Sequence, residues 1–424
     1  MRRDISSIFI NSGCILLLAI ILSCERSSLP EPFTEITPID HSIEADARYP
    51  YLHTHGDSVL VSWQSEQEED MTQLHMSVLK DGEFTQTQDV IRGPEWFVNW
   101  ADFPVVGSTR NGDFMISYMS SNGPGTFAYD LNFITSIEPG EWQKPFVPHA
   151  DQTPTEHGFA SIEPYGEDQL LTIWLDGRQM DEPESSEDDH DSHDAHGTGD
   201  MSLMYGFVDP ATGRVTGKGP LDLRVCECCP TSSTQTEEAA IFFYRDRAED
   251  ETRNISVIRY EFDRQEWSEP EYLYDDGWQI GGCPVNGPAA DSYGNTTAAA
   301  WFTAPEDEPH VRVAFSEDHG ATFSSPVNLH IDNALGRVDV QMINRETALV
   351  TWIDQVDGET QLVARLVDKS GQKSAPQLLA TDDYLAERSS GFPRITKSGS
   401  TIYMGWTRPG DSNELQLYKG TLTL

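Results

Sequence analysis

The chain has 424 residues, with 28 lysines and arginines against 70 aspartates and glutamates, and its formal net charge at pH 7 is −42. So acidic a surface repels nucleic acid and anionic lipid, which argues against both as binding partners. Apart from one apolar run near the N-terminus, no stretch has the length needed to span a bilayer.

The N-terminal segment has the pattern of a bacterial secretory signal. Two arginines precede the apolar stretch CILLLAIIL, and Ser23 stands directly before Cys24. This arrangement resembles the lipobox of bacterial lipoproteins, which implies removal of residues 1–23 and lipid attachment to Cys24. Residues 24–45 are then a polar, proline-bearing tether, and residues 46–424 are the folded domain. We therefore expect a protein of the bacterial cell envelope, anchored by lipid on a periplasmic or outer surface.

Seven segments of one pattern follow along the folded domain. Each is an apolar, β-rich run that carries an aromatic residue, preceded by a short strand and turn and followed by two further strand-like stretches. Helical periodicity is absent. A four-stranded unit repeated seven times predicts an all-β fold, a β-propeller of seven blades, in which the aromatic residues pack between neighbouring blades. The seven aromatic residues are Trp63, Tyr118, Trp174, Tyr244, Trp301, Trp352 and Trp406.

Two irregularities interrupt the repeat. The last unit, residues 392–424, supplies only three strands, so residues 33–39 (FTEITPI) are the candidate for a fourth strand that closes the ring. The third unit contains an acidic, histidine-bearing insertion at residues 179–200. Its high charge and low hydrophobicity predict a mobile loop. The alternative is a weak site for a soft divalent metal, with the candidate ligands His190, His193 and His196.

One turn of the fifth unit carries a specific motif. Residues 316–323 (SEDHGATF) match the Asp-box, Ser-x-Asp-x-Gly-x-Thr-aromatic. The chain therefore resembles the sialidase and BNR-repeat superfamily, and the bacterial lipoproteins described as sialidase-like in particular. The resemblance covers the repeat pattern of the propeller. Sialidases usually have six blades, so a six-bladed ring is the alternative to seven.

The resemblance implies a site as well as a fold. Sialidases hold the substrate carboxylate with three arginines and use a tyrosine nucleophile with an aspartate acid. Arg48, in ARYPYL, stands where the first of these arginines is expected. Arg245 or Arg247, Arg337 and Arg394 are candidates to complete the cluster, whereas no motif assigns the tyrosine or the aspartate. The implied activity is that of an exo-sialidase-like glycoside hydrolase.

Residues of unusual chemistry recur near the start of the first strand of each unit. In a propeller this strand lines the central channel, so residues at matching positions face one another across the axis. We therefore predict a binding or catalytic pocket at this mouth of the channel. Counting back fifteen to eighteen residues from the repeat aromatics reaches Arg48, Asp102, His157, Cys229, Cys283, Asn286, Arg337 and Arg388, with Trp100, Glu156 and Cys228 close by.

The arginines of this pocket favour an anionic ligand, such as a carboxylated or sulfated sugar. With such a ligand, Asp102, Glu156 and Asp246 are the acid/base candidates, since catalysis needs a carboxyl group of raised pKa. The candidate catalytic residues are Arg48, Asp102, Glu156, His157, Arg245, Asp246 and Arg337. The candidate ligand-binding residues are Trp100, Arg247, Asn286, Arg388 and Arg394.

The cysteines are candidates for disulfide formation or for metal binding. Cys226, Cys228 and Cys229 form a CxCC cluster, and Cys283 starts the neighbouring unit. Disulfides survive in an exported protein, and the pairing we favour joins Cys283 to the cluster. If the thiols stay reduced, they and His157 are candidate ligands of copper or zinc.

Three functions follow from these alternatives. The first is a monomeric, lipid-anchored propeller that binds, and in the stronger form hydrolyses, an anionic glycan or glycoconjugate at the channel mouth. The second is an envelope propeller that binds copper or zinc through the cysteines and His157. The third is a scaffold without enzymatic activity whose acidic surface engages other envelope proteins.

Overall fold

The structure is a computed structural model, and it describes residues 29–43, 46–138, 140–180 and 199–423. The predicted signal peptide, Cys24 and the three histidines of the acidic insertion lie outside the described residues. Within the described part of the chain, no helix is both long and apolar enough to cross a bilayer.

The described residues form seven antiparallel blades, so the predicted seven-bladed propeller is confirmed. Blade one consists of β2 (Ala47–His55), β3 (Ser58–Gln67), β4 (Met71–Lys80) and β5 (Glu83–Pro94). Blade two consists of β6 (Val106–Ser108), β7 (Phe114–Ser121), β8 (Tyr129–Glu138) and β9 (Glu141–Trp142). Blade three consists of β10 (His157–Tyr165), β11 (Gln169–Asp176), β12 (Met201–Asp209) and β13 (Arg214–Val225).

Blade four has a divided outer edge, since β17 and β18 both pair with β16. Blades four to seven consist of β14 (Ser232–Gln235), β15 (Ala239–Arg245), β16 (Ile255–Glu261), β17 (Glu266–Trp267) and β18 (Glu271–Tyr272); β19 (Ala289–Tyr293), β20 (Thr296–Thr303), β21 (His310–Ser316) and β22 (Val327–Asn328); β23 (Asn333–Met342), β24 (Thr347–Val356), β25 (Glu359–Asp368) and β26 (Gln377–Thr381); and β27 (Arg394–Ser398), β28 (Thr401–Arg408) and β29 (Glu414–Leu422). Short 3₁₀ turns cover Glu68–Asp70, Pro305–Asp307, Asp383–Ala386 and Arg388–Ser390.

The ring is closed by the N-terminal strand β1 (Phe33–Pro38). It pairs antiparallel with β29 and so becomes the outer strand of blade seven, with Phe33 opposite Leu422 and Pro38 opposite Tyr418. Phe33 is buried in the core between the last two blades. A strand from one end of the chain therefore completes the sheet formed by the other end.

The repeat aromatics lie on the second strand of each blade, and each is at most 5% exposed. Their rings fill the space between neighbouring sheets, where large side chains stabilise the fold most. Buried indole N–H groups need acceptors, and Trp352 donates to Asp354 at 2.8 Å. Trp174 donates in the same way to Asp176 at 2.9 Å. Because strand side chains alternate, the residue two positions on shares the face of the tryptophan.

The first strands of the seven blades are neighbours around the ring and line its centre. Three of them, β2, β10 and β23, begin with a β-bulge at which the pairing register shifts. Tyr49, Phe159 and Arg337 occupy these bulges with φ values of 54°, 54° and 52°. Bulges re-aim side chains at the ends of sheets, and here they bring two large rings and a guanidinium to one end of the channel.

The Asp-box forms the turn between β21 and β22. The Ser316 hydroxyl donates to Asp318 at 2.8 Å, and Asp318 accepts from the backbone N–H and the hydroxyl of Thr322. Gly320 has φ of 76°, a conformation that side-chain-bearing residues rarely adopt. Phe323 packs edge-on against Phe243 of the neighbouring blade. The motif therefore serves the fold, as the sequence indicated.

Candidate functional site

Aromatic side chains pack together at the predicted mouth of the channel. Trp100 stacks on Phe392 with ring centroids 5.7 Å apart, and the Arg337 guanidinium lies 4.7 Å from the centre of the Trp100 ring. Tyr49 and Phe159 belong to the same buried cluster. The end of the channel at which the inner strands begin is therefore occupied by a packed layer that contains Trp100.

The predicted catalytic arginines have separate internal partners. Arg48 forms an ion pair with Glu66 at 2.6 Å. Arg245 is 1% exposed and donates to backbone carbonyls, including those of Asn286 and Phe302. These hydrogen bonds join neighbouring blades. The two guanidinium groups thus stabilise the protein where they lie.

The remaining predicted arginines also contact different parts of the protein. Arg337 donates to the carbonyls of Leu385, Glu387 and Gly391 and to the Ser390 hydroxyl, which fixes the segment around the turn containing Arg388. Arg247 pairs with Glu251 at 3.0 Å. Arg394 reaches the channel, where its guanidinium lies over the ring of Tyr51. The side-chain oxygen of Asn286 accepts from the backbone of Arg337 and links blades five and six.

The predicted acids meet at a buried tyrosine. The Tyr129 hydroxyl lies 2.9 Å from Asp102 Oδ2 and 2.8 Å from Glu156 Oε1, and Asp102 and Glu156 are each 2% exposed. A phenol has one proton to donate, so one of the two carboxyl groups is protonated. Burial raises the pKa of Asp102 to about 7, with a contribution from Glu156. The Tyr129 hydroxyl is the donor to these carboxyl groups, and the raised pKa of Asp102 favours its neutral acid form below about pH 7.

Asp246 lies apart from this group, next to the cysteine segment. It pairs across an isolated bridge with Val225, and its carboxylate accepts from the backbone of Arg247 at 2.8 Å. Burial, followed by the charge of Asp222, raises the pKa of Asp246 to about 6.

Three thiols come together in the link between β13 and β14. Cys226 Sγ lies 3.5 Å from Cys229 Sγ and 3.8 Å from Cys228 Sγ, and all three side chains are buried. Cys283 packs against them. No disulfide joins these described cysteines, so the favoured pairing of Cys283 with the cluster does not occur in the structure. Cys283 instead directs its thiol to Glu227 Oε1 at 3.5 Å.

Two guanidinium groups adjoin the sulfur atoms. Arg253 donates to Cys226 Sγ at 3.1 Å and pairs with Glu227. Burial opposes ionisation of Cys229, but hydrogen bonds from the two other thiols and the charge of Arg245 lower the pKa of Cys229 well below its ordinary value. Burial raises the pKa of Cys226 to about 11. The cluster thus favours one thiolate in the absence of other cations.

His157 does not join the cysteines. Its ring stacks on that of His149, with centroids 3.8 Å apart and planes inclined by 4°, and its Nε2 lies 3.0 Å from Asp151. Burial and then the charge of His157 lower the pKa of His149. Sequence reasoning missed His149, Asp151 and Asp176, because they come from a loop and a strand end with no shared periodicity.

The channel itself contains a cavity of about 450 Å³, lined by residues of all seven inner strands. It extends past Tyr51 to Lys397, towards the end opposite the packed aromatic layer. Its lining includes the predicted acid Asp102 and three acids that were not predicted from the sequence, Glu163, Asp291 and Asp339. Burial raises the pKa of Glu163 to about 7 and that of Asp291 to about 6. These acids were missed because only the beginnings of the inner strands were compared.

A scan of protein-family models and a search of curated proteins both find no match. Among solved structures, the polysaccharide lyase Uly1 is 8% identical with a TM-score of 0.52, and the match covers 90% of each chain. The NanB sialidase of Streptococcus pneumoniae is 12% identical with a TM-score of 0.43, over 92% of this chain and 70% of that one. An acylaminoacyl peptidase of Pyrococcus horikoshii is 13% identical with a TM-score of 0.46, over 89% of this chain and 52% of the peptidase. This chain thus spans about half the length of the peptidase.

At these identities the similarities concern the fold. The neighbours include sialidases. The predicted β-propeller architecture is confirmed by the seven blades of this chain. The chemistry of the site has to be argued from the residues of this chain.

Proposed function

We propose that the protein is an envelope metal-binding propeller whose cysteine cluster holds one soft cation, copper(I) or zinc. The observation that carries the proposal is the spacing of the sulfur atoms, 3.5 Å and 3.8 Å from Cys226 Sγ to those of Cys229 and Cys228. Two thiolates bound tetrahedrally at about 2.3 Å from one ion lie roughly 3.8 Å apart. The three thiols therefore need little movement to share a cation.

The surroundings of the cluster suit a thiolate site. Thiolates that share a metal carry excess negative charge, and Arg253 and Arg245 supply cations beside Cys226 and Cys229. Cys283, in contact with the cluster, is the candidate fourth ligand. Burial keeps water and chelators from the sulfur atoms. Thiolate ligands select copper(I) and zinc over harder cations.

Metal analysis tests this proposal directly. We expect the full chain, purified without chelator, to carry one copper or zinc ion that protects the thiols from a maleimide until the ion is removed. Cys229→Ser should lose the ion, whereas Ser233→Ala, in the same segment, should retain it. A chain with no metal and no reactive thiol after denaturation, or a Cys229→Ser variant with full metal content, would contradict the proposal.

We propose glycan binding in the channel as a second function, supported by the polar cavity of about 450 Å³. Arg394, which lies 3.4 Å from Asp339, and Lys397 supply positive charge for an anionic sugar. Glu163 supplies a carboxyl group whose pKa of about 7 suits a general acid. Tyr51 offers a ring for stacking. This site lies deeper in the channel than the sequence predicted.

A panel of acidic and neutral oligosaccharides tests the channel. We expect Arg394→Ala to weaken binding of acidic members at least tenfold, on the scale of one charge-assisted contact, and Glu163→Gln to abolish any hydrolysis. Arg48→Ala is the matched control, because Arg48 is engaged with Glu66 outside the cavity. If no glycan binds, or if Arg48→Ala and Arg394→Ala behave alike, the proposal fails.

We also propose that Cys24 carries lipid, on the strength of the apolar run and the Ser23–Cys24 junction. Metabolic labelling with a fatty acid should tag the wild-type chain and not Cys24→Ser. A labelled variant would refute lipid attachment at this cysteine.

A further inference from the structure

A second cluster of metal-ligating side chains lies between blades two and three, apart from the cysteines. It contains two imidazoles and three carboxylates and is separate from the group formed by the cysteines. The ligand atoms of Asp130, His149 and His157 all lie within 4.8 Å of one another, as do those of Asp151, His157 and Asp176. The two groups share His157 and therefore adjoin each other.

Hydrogen bonds fix the orientation of both rings. His157 presents Nδ1 to the carbonyl oxygen of Thr155 at 3.0 Å, and His149 presents Nδ1 to Asp151 at 2.9 Å. Carbonyl and carboxylate oxygens only accept, so each Nδ1 carries a proton. This is the arrangement of metal-binding histidines, whose outer nitrogen donates to an oxygen while Nε2 binds the ion.

The Nε2 atom of His149 is the decisive feature. The side chain is 2% exposed, and this nitrogen has no hydrogen-bond partner. It faces Asp130 Oδ1 at 3.6 Å, too far for a hydrogen bond. A proton on Nε2 would make His149 a cation, stacked 3.8 Å from the ring of His157. Without that proton, a buried lone pair faces a carboxylate, and both attract a positive ion.

The distances fit a small divalent ion. Nitrogen and oxygen ligands at about 2.1 Å in tetrahedral geometry lie roughly 3.4 Å apart. His149 Nε2 lies 3.6 Å from Asp130, and His157 Nε2 lies 3.0 Å from Asp151 and 3.7 Å from Asp176. Within each group the ligand atoms therefore lie at about the separations that one small ion requires.

The charges of the cluster also favour a divalent cation. Arg178 forms two hydrogen bonds of 2.6 Å to Asp176 and neutralises that carboxylate. Without a metal ion, the Nε2–H of His157 donates to Asp151, and Arg178 lies 3.6 Å from the same carboxylate. A divalent cation that displaces this proton also meets the Asp130 carboxylate, which faces the His149 lone pair.

We infer that Asp130, His149 and His157 form a binding site for a divalent transition-metal ion of the zinc type. Asp176, held by Arg178, positions His157 from the outside. The site offers nitrogen and oxygen ligands where the cysteine cluster offers sulfur, so the two sites select different ions.

Zinc titration of the full chain tests the site. Metal is first removed, and the background carries Cys229→Ser together with His190→Gln, His193→Gln and His196→Gln, so that neither the thiols nor the insertion compete. We expect this background to bind one Zn²⁺ and to unfold at a higher temperature with it. Loss of a residue that only hydrogen-bonds a metal ligand already weakens metal binding ~10- to 100-fold. His149→Gln removes a ligand itself and should therefore weaken zinc binding by more than this.

Two further variants make the outcome decisive. Asp130→Asn, at a partly exposed position, should weaken zinc binding even if His149→Gln disturbs folding. His75→Gln, which breaks an ordinary histidine–aspartate pair elsewhere, should bind zinc like the background. No zinc binding by the folded background, or equal binding by all variants, would overturn the inference. Since the background lacks Cys229, this result is independent of the cysteine proposal.

Discussion

Replacement of Asp102 by asparagine should remove a large part of the pH dependence of stability. The Asp102 carboxyl group accepts from the backbone of Phe159 at 2.9 Å and contacts the Tyr129 hydroxyl, and burial raises its pKa to about 7. The unfolded chain releases this proton near pH 4, whereas the folded chain keeps it until about pH 7. Stability is therefore fully present below pH 4 and is lost as the pH rises towards 7.

The magnitude follows from the width of that window. Each pH unit between the two pKa values contributes about 1.4 kcal/mol, so Asp102 alone lowers the free energy of unfolding by about 4 kcal/mol between pH 4 and pH 7. Asparagine reproduces the neutral acid, because its oxygen accepts from Phe159 and its NH₂ donates to Tyr129. Asp102→Asn should thus match wild type at or below about pH 4 and exceed its stability near pH 8.

Urea unfolding followed by tryptophan fluorescence across this range measures the effect. The informative quantity is the difference between the free energies of wild type and variant, since other titrating groups cancel from it. Asp57→Asn, on an exposed turn, controls for the loss of one negative charge from an acidic protein. A wild-type-minus-variant difference that stays constant with pH would refute the assignment of the buried proton to Asp102.

Three further predictions concern the fold. Gly287→Ala should destabilise the protein by about 2 kcal/mol or more in urea unfolding, because the new Cβ overlaps the Pro230 carbonyl oxygen of the adjacent blade; unchanged stability would mean that the blades separate easily. Asp354→Ala should cost about 1–3 kcal/mol and shift the Trp352 fluorescence, since the buried indole N–H loses its acceptor; a variant with wild-type stability and emission contradicts this role. Asp318→Ala should lower the melting temperature through loss of the Asp-box turn while leaving metal content unchanged, and altered metal content would speak against a purely structural motif.

The fold was predictable because its signals are local. Each blade repeats one alternation of apolar and polar residues around a single aromatic, and Trp63 to Trp406 mark seven such units. The position of Cys229 close to the start of an inner strand was predictable for the same reason. Repetition supplies a register, and the register places residues to within a few positions along a strand.

The contacts of the site residues were not predictable in this way. Asp102 lies near the start of β6 as expected, yet its carboxyl group turns to Phe159 of the next blade. The direction of a side chain in the link before a strand depends on the packing of the adjacent sheet, which the repeat does not encode. His149 lies in the irregular segment between β9 and β10, where no period exists to compare. Its relation to Asp130 arises only after both blades have formed.

The pairing of β1 with β29 also sets the order in which the molecule can be completed. Phe33 emerges from the ribosome almost 390 residues before its partner Leu422, so the first strand synthesised must wait for the last. Until then β29 presents an unpaired edge to which other chains can add. Contacts this distant along the chain form slowly. Closure of the ring should therefore be the late step of folding.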